Sequence, residues 1–133
     1  MNPVFLDTVG LLAVWETSDQ WHAAADAAYE KLLKQGRKLV TTPLVILECG
    51  NAAARRPYRQ RVNVLRQYLM QEGLLVEPMF QEVEGAWAAY DRGEAGQAGI
   101  ADHVSFVVMR RLGLTEAFTN DRHFQAAGFM VLF

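Results

Sequence analysis

At 133 residues, with 51% hydrophobic and 21% charged residues, the chain can bury one core and is too apolar for disorder, so residues 1–133 read as a single domain. Its net charge of −2 gives no global support for a nucleic-acid partner, and no apolar run approaches the roughly 18 residues a membrane helix needs. No basic stretch precedes the first apolar run, and the lone Cys49 sits in an apolar helical setting, so a reducing, cytoplasmic location is expected.

Residues 3–7 read as a short buried strand, followed directly by a helix over Thr8 to Glu16. An alanine-rich helix over 18–35 ends at Gly36, and Lys38 to Thr41 reads as a second strand. Thr42 and Pro43 are a cap and a first-turn proline, and Leu44, Leu47, Glu48, Asn51 and Arg55 then share one helical face. Pro57 opens a fourth helix running to about Glu72, with Tyr58, Val62, Leu65 and Leu69 as its apolar stripe. Leu74 to Met79 suggests a third strand, Phe80 to Tyr90 an acidic helix, and Gly93 to Gly99 a flexible glycine-rich loop. Ile100 to Leu112 is helical, Glu116 to Thr119 a strand, Asp121 to Ala127 a short helix, and Phe129 to Phe133 a final strand. Strands that alternate with helices require crossovers, which predicts a three-layer α/β/α sandwich with a mainly parallel sheet.

Four carboxylates interrupt this pattern: Asp7, Glu48, Asp102 and Asp121. Asp and Glu are seldom buried without a partner, so acids at such places point to one shared cation. Asp7, Asp102 and Asp121 stand near helix starts, where capping is the competing explanation. Glu48 lies inside a helix and can cap nothing; its competing explanation is an ion pair with Arg55 or exposure to solvent. In open parallel sheets the ligand site lies beyond the carboxyl ends of the strands, where Asp7 and Asp121 fall. Two carboxylates at about 4 Å repel by roughly 4 kcal/mol at an effective dielectric near 20, a conflict that a divalent cation removes. All-oxygen ligands favour Mg²⁺ or Mn²⁺, and zinc-type His/Cys spacing is absent.

Other features carry less. His22, His103 and His123 read as ordinary polar residues, with His103 and His123 close enough to acids to touch a substrate. Ser105, one turn past Asp102, is expected to hydrogen-bond it or to pack. Gly93, Gly96 and Gly99 lack the Lys and Ser/Thr of a phosphate loop, and Trp15, Trp21 and Trp87 read as helical core residues. Between Cys49 and Gln71 lie five arginines (Arg55, Arg56, Arg59, Arg61, Arg66) and no acid, while Glu72 to Glu94 holds six acids and one arginine. Such a run is commonly a solvated face; arginine rather than lysine lends weak support to phosphate contacts and so to RNA.

The order and setting of the acids resemble the PIN domain family and, within it, the VapC-type toxin ribonucleases. The resemblance covers nearly the whole chain: Phe5-Leu6-Asp7-Thr8, Thr42-Pro43-Leu44 leading to Leu47-Glu48, Asp102 with Ser105-Phe106 and Met109-Arg110, and Thr119-Asn120-Asp121-Arg122-His123-Phe124 before Ala127-Gly128-Phe129. It implies that Asp7, Glu48, Asp102 and Asp121 hold Mg²⁺ or Mn²⁺ for in-line hydrolysis of RNA phosphodiesters. It further implies substrate-side or supporting roles for Thr8, Asn51, Arg55, Ser105 and Arg122, a homodimer, and a small VapB-like antitoxin as partner. Many relatives carry an Asp, an aromatic and a Ser or Thr before the third acid; here Gly99 and Ala101 stand there, which alters the surroundings of the site rather than its ligands. A catalytically silent PIN-like module binding RNA or a protein is the alternative. A phosphoacceptor receiver domain also clusters acids around Mg²⁺, but the final strand Phe129 to Phe133 supplies no lysine for it.

Overall fold

Val4, Phe5 and Leu6 are wholly buried, as a strand covered on both faces requires, and they form β1 of a computed structural model that describes residues 1–133. In chain order follow α1 (Thr8–Trp15), α2 (His22–Lys34), β2 (Leu39–Val40), α3 (Pro43–Ala53), α4 (Arg59–Gln71) and α5 (Phe80–Asp91). A single turn α6 (Glu94–Gln97), α7 (Ile100–Leu112), β3 (Glu116–Phe118), α8 (Arg122–Ala126) and β4 (Met130–Val131) complete the chain. The strands make one parallel sheet in the order β2-β1-β3-β4, and the helices pack as two groups, α1 to α4 and α5 to α8. This is the expected α/β/α sandwich.

The sheet places the site. After β1 the chain crosses to β2 on one side and later returns to β3 on the other, so the strand order reverses between β1 and β3. Such a reversal opens a crevice beyond the carboxyl ends of the two strands. Leu6 is paired with Phe118, so the next residues, Asp7 and Thr119, emerge side by side there.

Two packing contacts hold that crevice in shape. α1 lies so close to β3 that a Cβ on Gly10 would sit 2.1 Å from the carbonyl oxygen of Phe118, and only glycine fits. Phe106 of α7 meets Phe124 of α8 edge to face at 4.9 Å, and both rings are buried, which fixes α8 beside the start of α7.

Three expectations need correction. Residues 74–79 do not add a strand: Thr41 donates its N–H to Leu74 O at 3.2 Å and accepts from Val76 N–H at 2.8 Å, and the pairing stops there. Pro78 has no N–H to continue a ladder, and α5 starts at Phe80. The segment from Gly93 to Gly99 is not an open loop but a tight turn, with Gly93, Ala95, Gly96 and Gln97 all at positive φ. Trp21 and Trp87 are 48% and 46% exposed rather than core residues, and Trp21 precedes α2 as its cap. The arginine-rich α4 does face outward as expected: Val62 and Leu69 are buried while Arg59, Arg61 and Arg66 are exposed.

Candidate metal centre

Asp7 occupies the cap position of α1 yet does not cap it. Its carboxylate is buried, and Oδ2 accepts a hydrogen bond from Thr119 Oγ1 at 2.8 Å across the β1–β3 crevice. The same Thr119 hydroxyl oxygen accepts from the Asp121 N–H at 3.1 Å, tying the first acid to the last. Asp121 is a true cap, its Oδ1 accepting from the His123 N–H at 2.9 Å. Its capping role coexists with a place in the cluster.

Glu48 stands in α3, where Thr42 Oγ1 accepts from Val45 N–H and fixes the first turn. Its Oε1 accepts from Thr8 Oγ1 at 2.8 Å, so the acid is held beside the residue that follows Asp7. Asp102 is the third residue of α7, past the cap at Gly99, and so is free of capping duty. Phe106 lies one turn further on, and its contact with Phe124 brings Asp102 alongside Asp121 and His123.

The electrostatics show that these acids share one field. Burial pushes the Asp7 carboxyl up to about 7, partly offset by the Thr119 hydrogen bond and reinforced by the charges of Asp102 and Asp121. Burial likewise pushes Asp102 up to about 6; Asp121 and Glu48 raise it further and His123 opposes them. Cys49, buried beneath the cluster, is pushed up to about 12 by burial first and by Asp7 and Glu48 next. Thr119 thus links Asp7 to Asp121 and Thr8 links Glu48 to the end of β1, while only Asp102, Asp121 and His123 bring donor atoms within 4.8 Å of one another.

The supporting residues divide. Thr8 is in place. Asn51 and Arg55 are exposed, and α3 ends at Ala53, so Arg55 lies beyond the helix and off the face it was expected to share with Glu48. The competing explanation for Glu48, an ion pair with Arg55, is not met: Glu48 accepts from Thr8 instead. Ser105 is buried without a hydrogen bond to Asp102, and Arg122 is exposed at the start of α8.

Two residues of the site escaped sequence reasoning. Thr119 enters the sequence reading as a strand end and as the first residue of the resembling Thr119-to-Phe124 segment, without a role of its own. His123 was read as a polar residue near an acid, yet its Nδ1 stands 2.9 Å from Asp121 Oδ1 and 3.9 Å from Asp102 Oδ2. The usable signal for His123 is its spacing two positions after the helix-capping Asp121, which keeps its backbone next to that carboxylate. His22, by contrast, bonds the Ala13 carbonyl oxygen, and His103 is buried against Phe106 with Nε2 unpartnered. The largest concave surface, an apolar groove lined by Leu11, Trp15, Tyr29, Leu65 and Tyr68, includes none of the acids.

A family model described as the PIN domain matches residues 4–130. The chain belongs to the PIN domain family. Among solved structures, this PIN domain is similar to VapC20 of Mycobacterium tuberculosis, a sarcin-ricin loop cleaving toxin, at 24% identity and TM-score 0.76, covering 96% of each chain. It is also similar to a chain of FitAcB from Neisseria gonorrhoeae, at 18% identity and TM-score 0.65 over 98% of this chain and 96% of that one. A chain of DNA-bound VapBC from Salmonella typhimurium matches at 15% identity and TM-score 0.65, covering 98% of this chain and 97% of that one. No curated protein matches by sequence. These likenesses establish the shared fold; no helix of this PIN domain is long and apolar enough to cross a membrane.

The donor set fits a divalent cation. Asp102, Asp121 and His123 group their donor atoms within 4.8 Å, the buried Asp7 is linked to Asp121 through Thr119, and no arginine or lysine is paired with Asp7, Glu48, Asp102 or Asp121. Oxygen-rich donors of this kind suit Mg²⁺ or Mn²⁺.

Proposed function

We propose that this PIN domain is a Mg²⁺- or Mn²⁺-dependent endoribonuclease and the toxin of a type II toxin–antitoxin pair. The reading is supported by the buried Asp7 carboxylate tied through Thr119 to Asp121, by Glu48 held by Thr8 next to Asp7, and by the grouping of Asp102, Asp121 and His123 donor atoms within 4.8 Å. These four residues would hold the cation. When bound, it supplies Lewis-acid compensation of the charge that builds on a phosphodiester under in-line attack.

The chain's own residues prepare the place. Thr119 and Thr8 hold the Asp7 and Glu48 carboxylates in fixed orientations, so little reorganisation is needed when the cation and substrate arrive. Arg122, exposed and next to Asp121 in the chain, is the proposed contact for a substrate phosphate. The outward arginines of α4 lend the chain a basic surface despite its net charge of −2, in keeping with an RNA substrate.

A VapB-like antitoxin is the proposed partner, supported by the likeness to the VapBC and FitAB assemblies. A homodimer in the cytoplasm is proposed as well. Phe80, Trp87 and Tyr90 leave an exposed aromatic face on α5 that a second copy could cover.

The deciding experiment is cleavage of single-stranded RNA with Mg²⁺ or Mn²⁺ by the wild type, Asp7→Asn and Asp121→Asn. The reading expects cleavage by the wild type, abolished by EDTA, and at least a hundredfold loss in each variant. Equal background from all three proteins would leave only the silent module.

A further inference from the structure

Beyond the four acids, we infer that His123 is a direct metal-binding residue and that it gives this site a preference for Mn²⁺ over Mg²⁺. The inference deepens the reading above and rests on it. Three donor atoms, one each from Asp102, Asp121 and His123, lie within 4.8 Å of one another, and the histidine is the only nitrogen among them. Donors adjacent around an octahedral ion with bonds of about 2.1 Å stand about 3 Å apart, and opposite donors about 4.2 Å apart. The Nδ1 separations of 2.9 Å from Asp121 and 3.9 Å from Asp102 fall within that range, so the imidazole is already where a ligand belongs.

Two features place it there. The cap of α8 brings the His123 N–H onto Asp121 Oδ1 at 2.9 Å, which sets the backbone of residue 123 beside that acid. On the ring's other side lies the tight turn over 93–97, so close that a Cβ on Gly96 would touch His123 Cδ2 at 3.7 Å. Ala95 and Gln97 in that turn adopt φ of 54° and 62°, a left-handed conformation that L-residues avoid. The turn falls in the segment where the sequence departs from its resembling relatives. It backs the Cδ2 edge of the ring, leaving the Nδ1 side toward Asp102 and Asp121.

An imidazole donor alters which cation the site selects. Mg²⁺ takes oxygen ligands and gives up its waters reluctantly, whereas first-row transition ions accept imidazole readily. One nitrogen among carboxylates therefore raises Mn²⁺ affinity without a matching gain for Mg²⁺.

Mn²⁺ itself is the probe. Pulsed electron paramagnetic resonance on the wild-type protein loaded with Mn²⁺ should show ¹⁴N coupling from a coordinated imidazole. His123→Gln should abolish that coupling while His103→Gln keeps it. Calorimetric titration should show His123→Gln losing tenfold or more in Mn²⁺ affinity and less than threefold in Mg²⁺ affinity, with the fold checked by circular dichroism. Mn²⁺ bound to the wild type without ¹⁴N coupling would overturn the role of His123 and leave the acidic centre standing. Failure of the wild type to bind Mn²⁺ at all would overturn both.

Discussion

Replacing Asp7 by Asn should stabilise the metal-free protein at neutral and alkaline pH even as it destroys the proposed site. Asp7 is raised from an ordinary value of about 3.9 to about 7, so the folded state favours its neutral form. The sign follows from linkage. The protein carries no penalty from this group below the unfolded value, loses stability as pH climbs from about 4 to 7, and carries the whole penalty above 7. At 1.36 kcal/mol per pH unit the full penalty is about 4 kcal/mol, falling to under about 2 kcal/mol at pH 5. Asn keeps an oxygen that can accept from Thr119 and brings no charge, so most of that penalty is relieved. Thermal unfolding in EDTA at pH 8 should place Asp7→Asn above the wild type by roughly 10–15 °C, with a clearly smaller gap at pH 5. Mn²⁺ at about 100 times its Kd should close most of that gap, because it adds about 2.7 kcal/mol to the protein that binds it. A variant no more stable than the wild type in EDTA at pH 8, or a gap that does not shrink with falling pH, would refute the claim that Asp7 is buried against its own charge.

Other outcomes follow from the same geometry. Gly10→Ala forces a methyl group to within 2.1 Å of the Phe118 carbonyl oxygen; the overpacking should cost about 1–3 kcal/mol or more in urea denaturation and should also weaken Mn²⁺ binding, since it pries α1 from β3. Thr8→Val removes the donor that holds Glu48, and calorimetry should record a Mn²⁺ affinity lowered by roughly tenfold with stability changed by only about 1 kcal/mol. Cys49, buried and pushed up to about 12, should resist a thiol-specific disulfide reagent at pH 8 until the chain is unfolded by urea.

Much of the site was legible in the sequence because its acids sit where hydrophobic patterning makes them anomalous. Asp7 directly follows a fully buried strand, and Glu48 lies in a helix whose neighbours Ile46 and Cys49 are buried. Neither position has a local use for charge. The helix over 100–112 was likewise readable to the residue from its period and its closing glycine, Gly113, which takes positive φ. What the sequence hid depends on tertiary placement. Thr119 gains its meaning only from the Leu6–Phe118 register, which sets it beside Asp7. Residues 74–79 look like a strand, but a strand needs a long neighbour and β2 is only two residues. The turn over 93–97 was misread as flexible because positive φ at Ala95 and Gln97 runs against their own preference and is imposed by packing on α8. Arg55 was misplaced by one helical ending: α3 stops at Ala53, before the face it was assigned to reaches it.

The central claim is that four carboxylates from distant parts of the chain share one cation. Anomalous scattering from a crystal of the protein soaked in Mn²⁺ tests it most directly. The account predicts a single strong peak in the β1–β3 crevice, within bonding distance of carboxylate oxygens from Asp7 and at least one of Glu48, Asp102 and Asp121. A crystal with that crevice open to solvent and no peak in it, or with manganese bound only elsewhere, would contradict the account.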